Sequence, residues 1–278
     1  MQYKLHKSLF IAICTLIFAA CSQEILTIRN LNNNEIIACG HGGMGIESIY
    51  PMNSKGSAQK LFESGANAIE IDIQLSKDNQ LIAFHDIELS NQTDFTGFIS
   101  DYTSSEIENM DYKKNPLSSE KIISLDNYFK NIPWDSSTHF TFDLKLCTNI
   151  DQTAYFQNFV IALDSFISKN HILNNLHIES QDTTFLKLLK KQIPGSQLFI
   201  YPTNFEAGLA AAISLDLYGI TIAHYNITKE QIELAHQFGF RVAVGNTHSQ
   251  KDNTDAINKS PDIIQTDEIK DLLDKLSP

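Results

Sequence analysis

Nine short apolar runs, most of them separated by stretches long enough for a helix, constrain this chain more than any other feature. They are EIIACG (35–40), AIEIDI (68–73), QLIAFH (80–85), FTFDLKL (140–146), LHIES (176–180), QLFIY (197–201), YGITIA (218–223), RVAVG (241–245) and DIIQT (262–266). Helix-patterned segments such as SAQKLFESGA, YFQNFVIALDSFISK, TTFLKLLKKQI, TKEQIELAHQFG and TDEIKDLLDKL lie between them. Strand and helix in alternation imply right-handed crossovers and a parallel sheet. The gap between the second and third runs leaves no room for a crossover, so a β-hairpin turning near Lys77-Asp78-Asn79 is expected there. The remaining eight strands in about 250 residues match a (β/α)8 TIM barrel. A doubly wound sheet is the competing α/β arrangement, but no phosphate-binding glycine fingerprint follows the first run.

The N-terminus reads as targeting rather than fold. Lys4 and Lys7 precede an apolar stretch from Leu9 to Ala20, too short to span a bilayer comfortably, and Ala19-Ala20 stand before Cys21. Small residues directly before a cysteine resemble the bacterial lipoprotein signal, in which that cysteine is lipidated. Phe18 stands where that pattern more often has Leu. The expectation is a signal peptide over 1–20, a polar tether over 21–34, a barrel over 35–278, and a cell-envelope protein held to a membrane by lipid at Cys21. Loss of residues 1–20 removes two lysines and no acid, moving the formal charge from −12 to −14. So acidic a chain is a poor partner for nucleic acid or for anionic lipid. Cys39 and Cys147, in or beside strands, read as buried free thiols, with a disulfide possible from their even count alone.

Chemistry-bearing residues gather at strand ends, where barrel active sites lie. In AIEIDI the alternation puts Glu70 and Asp72 on one face. A hairpin turn near Asp78 places Glu70 opposite His85. The first run closes in ACGHGGMG, so His41 follows it within a glycine-rich turn. In FTFDLKL, Asp143 and Lys145 share a face. Alone, that pair would read as a structural ion pair. Three carboxylates in one cavity repel one another unless a cation sits among them, and hard oxygen donors without clustered thiols point to Mg²⁺ or Ca²⁺. His41 and His85 remain for proton transfer, and Lys145 supplies a cation for an anionic substrate. Together these groups suit hydrolysis of a phosphate ester.

The motifs H-G-G at 41–43, I-E-I-D at 69–72, S-K-D-N-Q-L at 76–81, F-H-D at 84–86 and D-L-K at 143–145 resemble the glycerophosphodiester phosphodiesterase family. Pro51-Met52-Asn53-Ser54 is similar to its Pro-Glu-Asn-Thr turn. Thr93, Gly97, Asp101 and Thr103, Ile123-Ser124-Leu125, and Gln265-Thr266-Asp267 follow its later course. The resemblance implies cleavage of glycerophosphodiesters to sn-glycerol 3-phosphate and an alcohol such as choline or ethanolamine. It implies His41 and His85 as the acid/base pair, Glu70, Asp72 and Asp143 as metal ligands, and Lys145 as a substrate contact. Asp143 stands where the family usually has the longer Glu.

Two departures shape the expectations. Gly42 replaces the Arg that usually follows the first histidine and is expected to hold phosphate. Gly245 lies where the family has a late tryptophan, and His224 is a candidate compensating group in the mouth. Residues 87–138 are longer than a simple crossover and carry Trp134, Phe95, Phe98, Tyr102, Tyr112, Tyr128 and Phe129, an expected small insertion over the barrel mouth before strand four. Alternative readings keep the site but form a cyclic phosphate or act on lysophospholipids, or make the protein a weakly catalytic binding lipoprotein.

Overall fold

A computed structural model describes residues 36–46, 48–113, 120–148 and 151–277. The expected signal, tether and Cys21 lie outside these residues. The strands are β1 (Ile37–Gly40), β2 (Ala68–Leu75), β3 (Leu81–Ala83), β4 (Ile123–Ser124), β5 (His139–Leu144), β6 (Leu176–Ser180), β7 (Gln197–Ile200), β8 (Gly219–Ala223), β9 (Arg241–Thr247) and β10 (Ile263–Thr266). The helices are α1 (Lys55–Glu63), α2 (Ser104–Ile107), α3 (Leu125–Asn131), α4 (Gln152–Asn170), α5 (Thr183–Gln192), α6 (Phe205–Leu215), α7 (Lys229–Gln237), α8 (Gln250–Lys259) and α9 (Ile269–Leu276).

Eight strands close into a parallel barrel in the order β1-β10-β9-β8-β7-β6-β5-β2, with β1 pairing back onto β2. The expected TIM barrel is therefore the fold. Each of the nine apolar runs contains a strand. The third run's strand, β3, lies outside the barrel and folds back antiparallel on β2 through a turn in which Asn79 is left-handed (φ 59°). Asp78 fastens this turn by accepting from Ser76 Oγ (2.6 Å), Ser104 N (2.8 Å) and Ser104 Oγ (2.9 Å), contacts that also hold its carboxyl below the usual range against the pull of burial. The hairpin register differs from expectation by one residue. Ile73 pairs with Ala83, and the ladder ends with Phe84 N donating to Asp72 O at 3.0 Å. Glu70 and His85 are therefore not cross-strand partners, because the chain leaves the ladder after Phe84.

Side-chain caps launch most of the helices that leave the C-terminal face of the barrel. Ser54, Asp151, Asp182, Asn204, Thr228 and Ser249 each accept a backbone N–H from the first turn that follows. Such caps contribute about 1 kcal/mol each and fix where the βα loops end. Outward strand residues such as Ile69, Ile71, Phe140, Phe142, Ile178 and Val242 are buried against those helices.

The 87–138 segment splits in two. Its first part packs Leu89, Ile99, Ile107, Met110 and Tyr112 with Ile82 and Phe84 into a separate small core around the hairpin. Its last part is the crossover helix α3, so Tyr128, Phe129 and Trp134 belong to the barrel wall rather than to a cover for its mouth. Phe129 lies 4.8 Å from both Phe140 and Phe166, centroid to centroid, and Trp134 donates to Phe129 O at 2.9 Å. Cys39 is buried, Cys147 half-buried, and both are free thiols.

Candidate active site

The parallel register fixes which side chains meet at the C-terminal face. Asp72 aligns with Asp143, and Asp143 with Glu179, across β2, β5 and β6. Glu70 lies one inward position deeper on β2. The carboxylates of Glu70, Asp143 and Glu179 each offer an oxygen within 4.8 Å of the others, and all three residues are buried. Burial raises the pKa of each; neighbouring acids add to it, Asp72 and Asp143 at Glu70, Asp72 at Asp143 and Asp143 at Glu179, while Lys145 opposes the rise. Glu179 is anchored from behind, accepting from Thr221 Oγ1 (2.6 Å) and Gln265 Nε2 (3.0 Å).

Asp72 stands apart from that tight group. Asn53 clasps it twice, donating from Nδ2 to Oδ2 at 2.7 Å and accepting from Asp72 N at 3.0 Å. Lys145 Nζ is 3.0 Å from Asp72 Oδ1 and also pairs closely with Asp143 Oδ2. Burial alone would raise the Asp72 pKa, but Lys145, His85, His41 and Asn53 outweigh it and hold the carboxyl below its usual range. Asp72 Oδ1 is buried and makes no hydrogen bond despite the nearby ammonium. A cluster of three buried carboxylates with a single ammonium beside it carries excess negative charge on hard oxygen donors, which fits a hard divalent cation. Glu70 and Asp143 belong both to the expected ligand set and to the tight cluster. Glu179 is already in range, whereas Asp72 is engaged elsewhere.

His41 and His85 meet at the mouth, ring centroids 6.4 Å apart and nearly perpendicular at 80°. Each is held through Nδ1: His41 by Asp267 Oδ1 at 2.7 Å, His85 by Asp86 Oδ1 at 2.6 Å. The Asp86 bond raises the His85 pKa, opposed by burial and aided by the charge of Asp72. Asp267 is pushed up by burial, yet its bonds from His41 and His248 bring it below the usual carboxylate range.

Gly42 is set by backbone geometry. Its φ is +54°, and a Cβ there would lie 2.6 Å from Met52 Cβ and 2.8 Å from Met52 Cγ and Cε. Its N–H donates to Glu70 Oε2 at 2.8 Å, so the turn after β1 positions the first acid of the cluster. His224 does not enter the mouth. It is buried against α8, 3.0 Å from Asp255 through Nδ1. A cleft of about 530 Å³ opens beside the cluster, lined by His85, Asp143, Lys145, Leu146, Ser180 and Asp182 among others. Glu179, Asn53 and His248 were not read as site residues from sequence. The alternation in LHIES places His177 and Glu179 on one face, the same signal that marks Glu70 and Asp72 in AIEIDI.

A barrel whose C-terminal mouth holds two carboxylate-bound imidazoles, a lysine and buried acids defines a class of enzyme that acts on anionic esters. The Glycerophosphoryl diester phosphodiesterase family model matches residues 44–270, and the chain belongs to that family. It is 23% identical over 227 residues to a glycerophosphodiester phosphodiesterase of Caldanaerobacter subterraneus subsp. tengcongensis, covering 80% of this chain and 91% of that protein. Among solved structures it is similar to an Oleispira antarctica phosphodiesterase in complex with the product sn-glycerol-3-phosphate (TM-score 0.73, 20% identity, 85% of this chain and 94% of that one). It is also similar to a putative glycerophosphoryl diester phosphodiesterase of Agrobacterium tumefaciens (TM-score 0.76, 15% identity, 87% and 97% covered).

Proposed function

We propose that this chain hydrolyses glycerophosphodiesters to sn-glycerol 3-phosphate and a free alcohol, with His41 and His85 moving protons and a divalent cation, Mg²⁺ or Ca²⁺, held by the carboxylate cluster. The observation that carries this reading is the pair of imidazoles 6.4 Å apart, each fixed through Nδ1 by its own carboxylate, beside Lys145 and the buried acids. Family membership supports the substrate class.

The chain's own groups account for the proton traffic. With Nδ1–H donated to Asp267, His41 presents the Nε2 lone pair and can take the proton of an attacking water. His85, whose pKa is raised by Asp86, can hold a proton on Nε2 and deliver it to the departing alkoxide as the P–O bond breaks. Lys145 opposes the negative charge that gathers on the phosphoryl group. A bound cation would add charge neutralisation at those oxygens. Glu70 and Asp143 form the heart of its seat, with Glu179 ready beside them and Asp72 available on release from Lys145. The cleft volume falls within the range typical of small-molecule sites. We place the mature chain in the cell envelope, anchored by lipid at Cys21, on the strength of its N-terminal signal.

The test is an assay of purified protein on glycerophosphocholine and glycerophosphoethanolamine, with EDTA and with added Mg²⁺ or Ca²⁺, products being read by phosphorus NMR. Metal-dependent release of sn-glycerol 3-phosphate is expected. Folded protein that releases none under any of these conditions refutes the proposal, and a cyclic phosphate would replace water by internal attack. His41→Ala and His85→Ala are each expected to lose about 10²- to 10⁴-fold in turnover.

A further inference from the structure

We infer that His248 is a third imidazole of the active site, which contacts a phosphoryl oxygen of the bound diester through Nε2. This rests on the phosphodiesterase reading and identifies what stands in for a cationic side chain at position 42.

The placement follows from barrel register. Gly40, Thr266 and Thr247 are aligned neighbours across β1, β10 and β9. The next residue on each strand is therefore His41, Asp267 and His248, side by side at the C-terminal face. Backbone bonds carry the alignment one step past the strands, His41 N donating to Thr266 O and Asp267 N to Thr247 O, both at 3.0 Å. Asp267 then bridges the two rings. Its Oδ1 holds His41 Nδ1 at 2.7 Å and its Oδ2 holds His248 Nδ1 at 2.5 Å. The bridging carboxylate is nearly inaccessible, with a side chain 3% exposed, whereas the His248 side chain is 45% exposed. One buried acid thus orients the imidazoles on the two strand ends that flank its own, and the exposed ring has Nε2 left for a ligand.

The backbone of His248 is tied down as well, its N–H donating to Asp252 Oδ2 at 3.2 Å. Lys145, which faces the phosphoryl group from the opposite arc, divides its charge with Asp72 and Asp143. Gly42 has no side chain, and the one arginine among the described residues, Arg241, opens β9 at the far end of the barrel. With Nδ1 bonded to Asp267, an N–H on Nε2 would donate to a phosphate oxygen, a hydrogen bond assisted by the charge of the acceptor.

The test compares the wild type with His248→Asn and His248→Ala. The Asn amide reproduces the Nδ1–H donor to Asp267 but has no atom at Nε2. For each folded protein, KM and kcat for glycerophosphocholine are measured, together with the Kd for sn-glycerol 3-phosphate by calorimetry in saturating Mg²⁺. Both variants are expected to bind sn-glycerol 3-phosphate about 10- to 100-fold more weakly, the size of one charge-assisted hydrogen bond, with KM rising in step. His248→Asn should rescue the loss of His248→Ala by no more than a few-fold. A His248→Asn protein that matches the wild type overturns the inference, because His248 would then act only by holding Asp267. Two variants that both match the wild type overturn it as well. A wild type without turnover brings down the function and the assignment together, whereas turnover with unaffected variants removes His248 alone.

Discussion

Substituting the glycine after the first histidine should cost far more stability than an exposed turn would suggest. At Gly42, alanine meets two independent obstacles. The φ of +54° is left-handed, which costs a residue with a Cβ about 1–2 kcal/mol. The new methyl would also sit 2.6 Å from Met52 Cβ and 2.8 Å from Met52 Cγ and Cε. Cγ and Cε can swing away, but Cβ moves only with the backbone, and overpacking of this kind costs about 1–3 kcal/mol. Gly42→Ala is therefore expected to lose about 2–5 kcal/mol, a large share of the total for a domain of this kind. The assay is urea unfolding with EDTA present, so that cation binding does not contribute. A double-mutant cycle with Met52→Gly isolates the steric part, which should appear as about 1–3 kcal/mol of favourable coupling. A Gly42→Ala protein within about 0.5 kcal/mol of wild type would refute the reasoning. Zero coupling with Met52→Gly would leave the φ argument standing and remove the steric one. An arginine at this position faces the same obstacles, so Gly42→Arg should lose stability and gain no substrate affinity.

Three further outcomes are expected. Glu179→Gln keeps the size and the acceptor for Thr221 but removes a charge, and should weaken Mg²⁺ or Ca²⁺ binding by about tenfold or more by calorimetry; unchanged affinity would exclude Glu179 from the seat. His177 is depressed by burial from an ordinary 6.5 to about 3. Below pH 6.5 the unfolded chain binds a proton there that the folded chain refuses. Stability should therefore fall as pH drops toward 3, by up to about 1.4 kcal/mol per pH unit, and His177→Phe should flatten that slope in urea titrations. If Cys21 carries the anchor, wild type expressed in a bacterium should partition into detergent and Cys21→Ser should stay aqueous; equal partitioning would dismiss the lipoprotein reading.

The parts of this protein legible in its sequence are those set by short-range pattern. The period of two in AIEIDIQL marks a strand and the face that carries Glu70 and Asp72. The KDN turn marks the hairpin. Strand-helix alternation marks the barrel, because every crossover repeats the same local rule. Long-range register was not legible. Asp267 meets His41 across 226 residues, and Glu179 meets Gln265 across 86, so neither contact leaves a local trace. The hairpin register lies one residue from the one the KDN turn suggests, because turn composition locates a bend without fixing its centre. Tyr128, Phe129 and Trp134 fall within the excursion by sequence because nothing local marks that the barrel's own crossover helix resumes at Leu125. Asp143 reads as a shortened ligand beside Glu70 and Asp72, and only pairing of β5 with β6 shows a longer acid, Glu179, directly beside it.

The bridge from His41 to Asp267 also has a kinetic meaning. It joins the first barrel strand to the last, so His41 is unoriented until β1 and β10 pair and the ring of strands is complete. Contacts so distant in sequence form late, because the chain between them must be ordered first. During refolding, circular dichroism should recover before turnover does. The return of activity would then time the closure of the barrel.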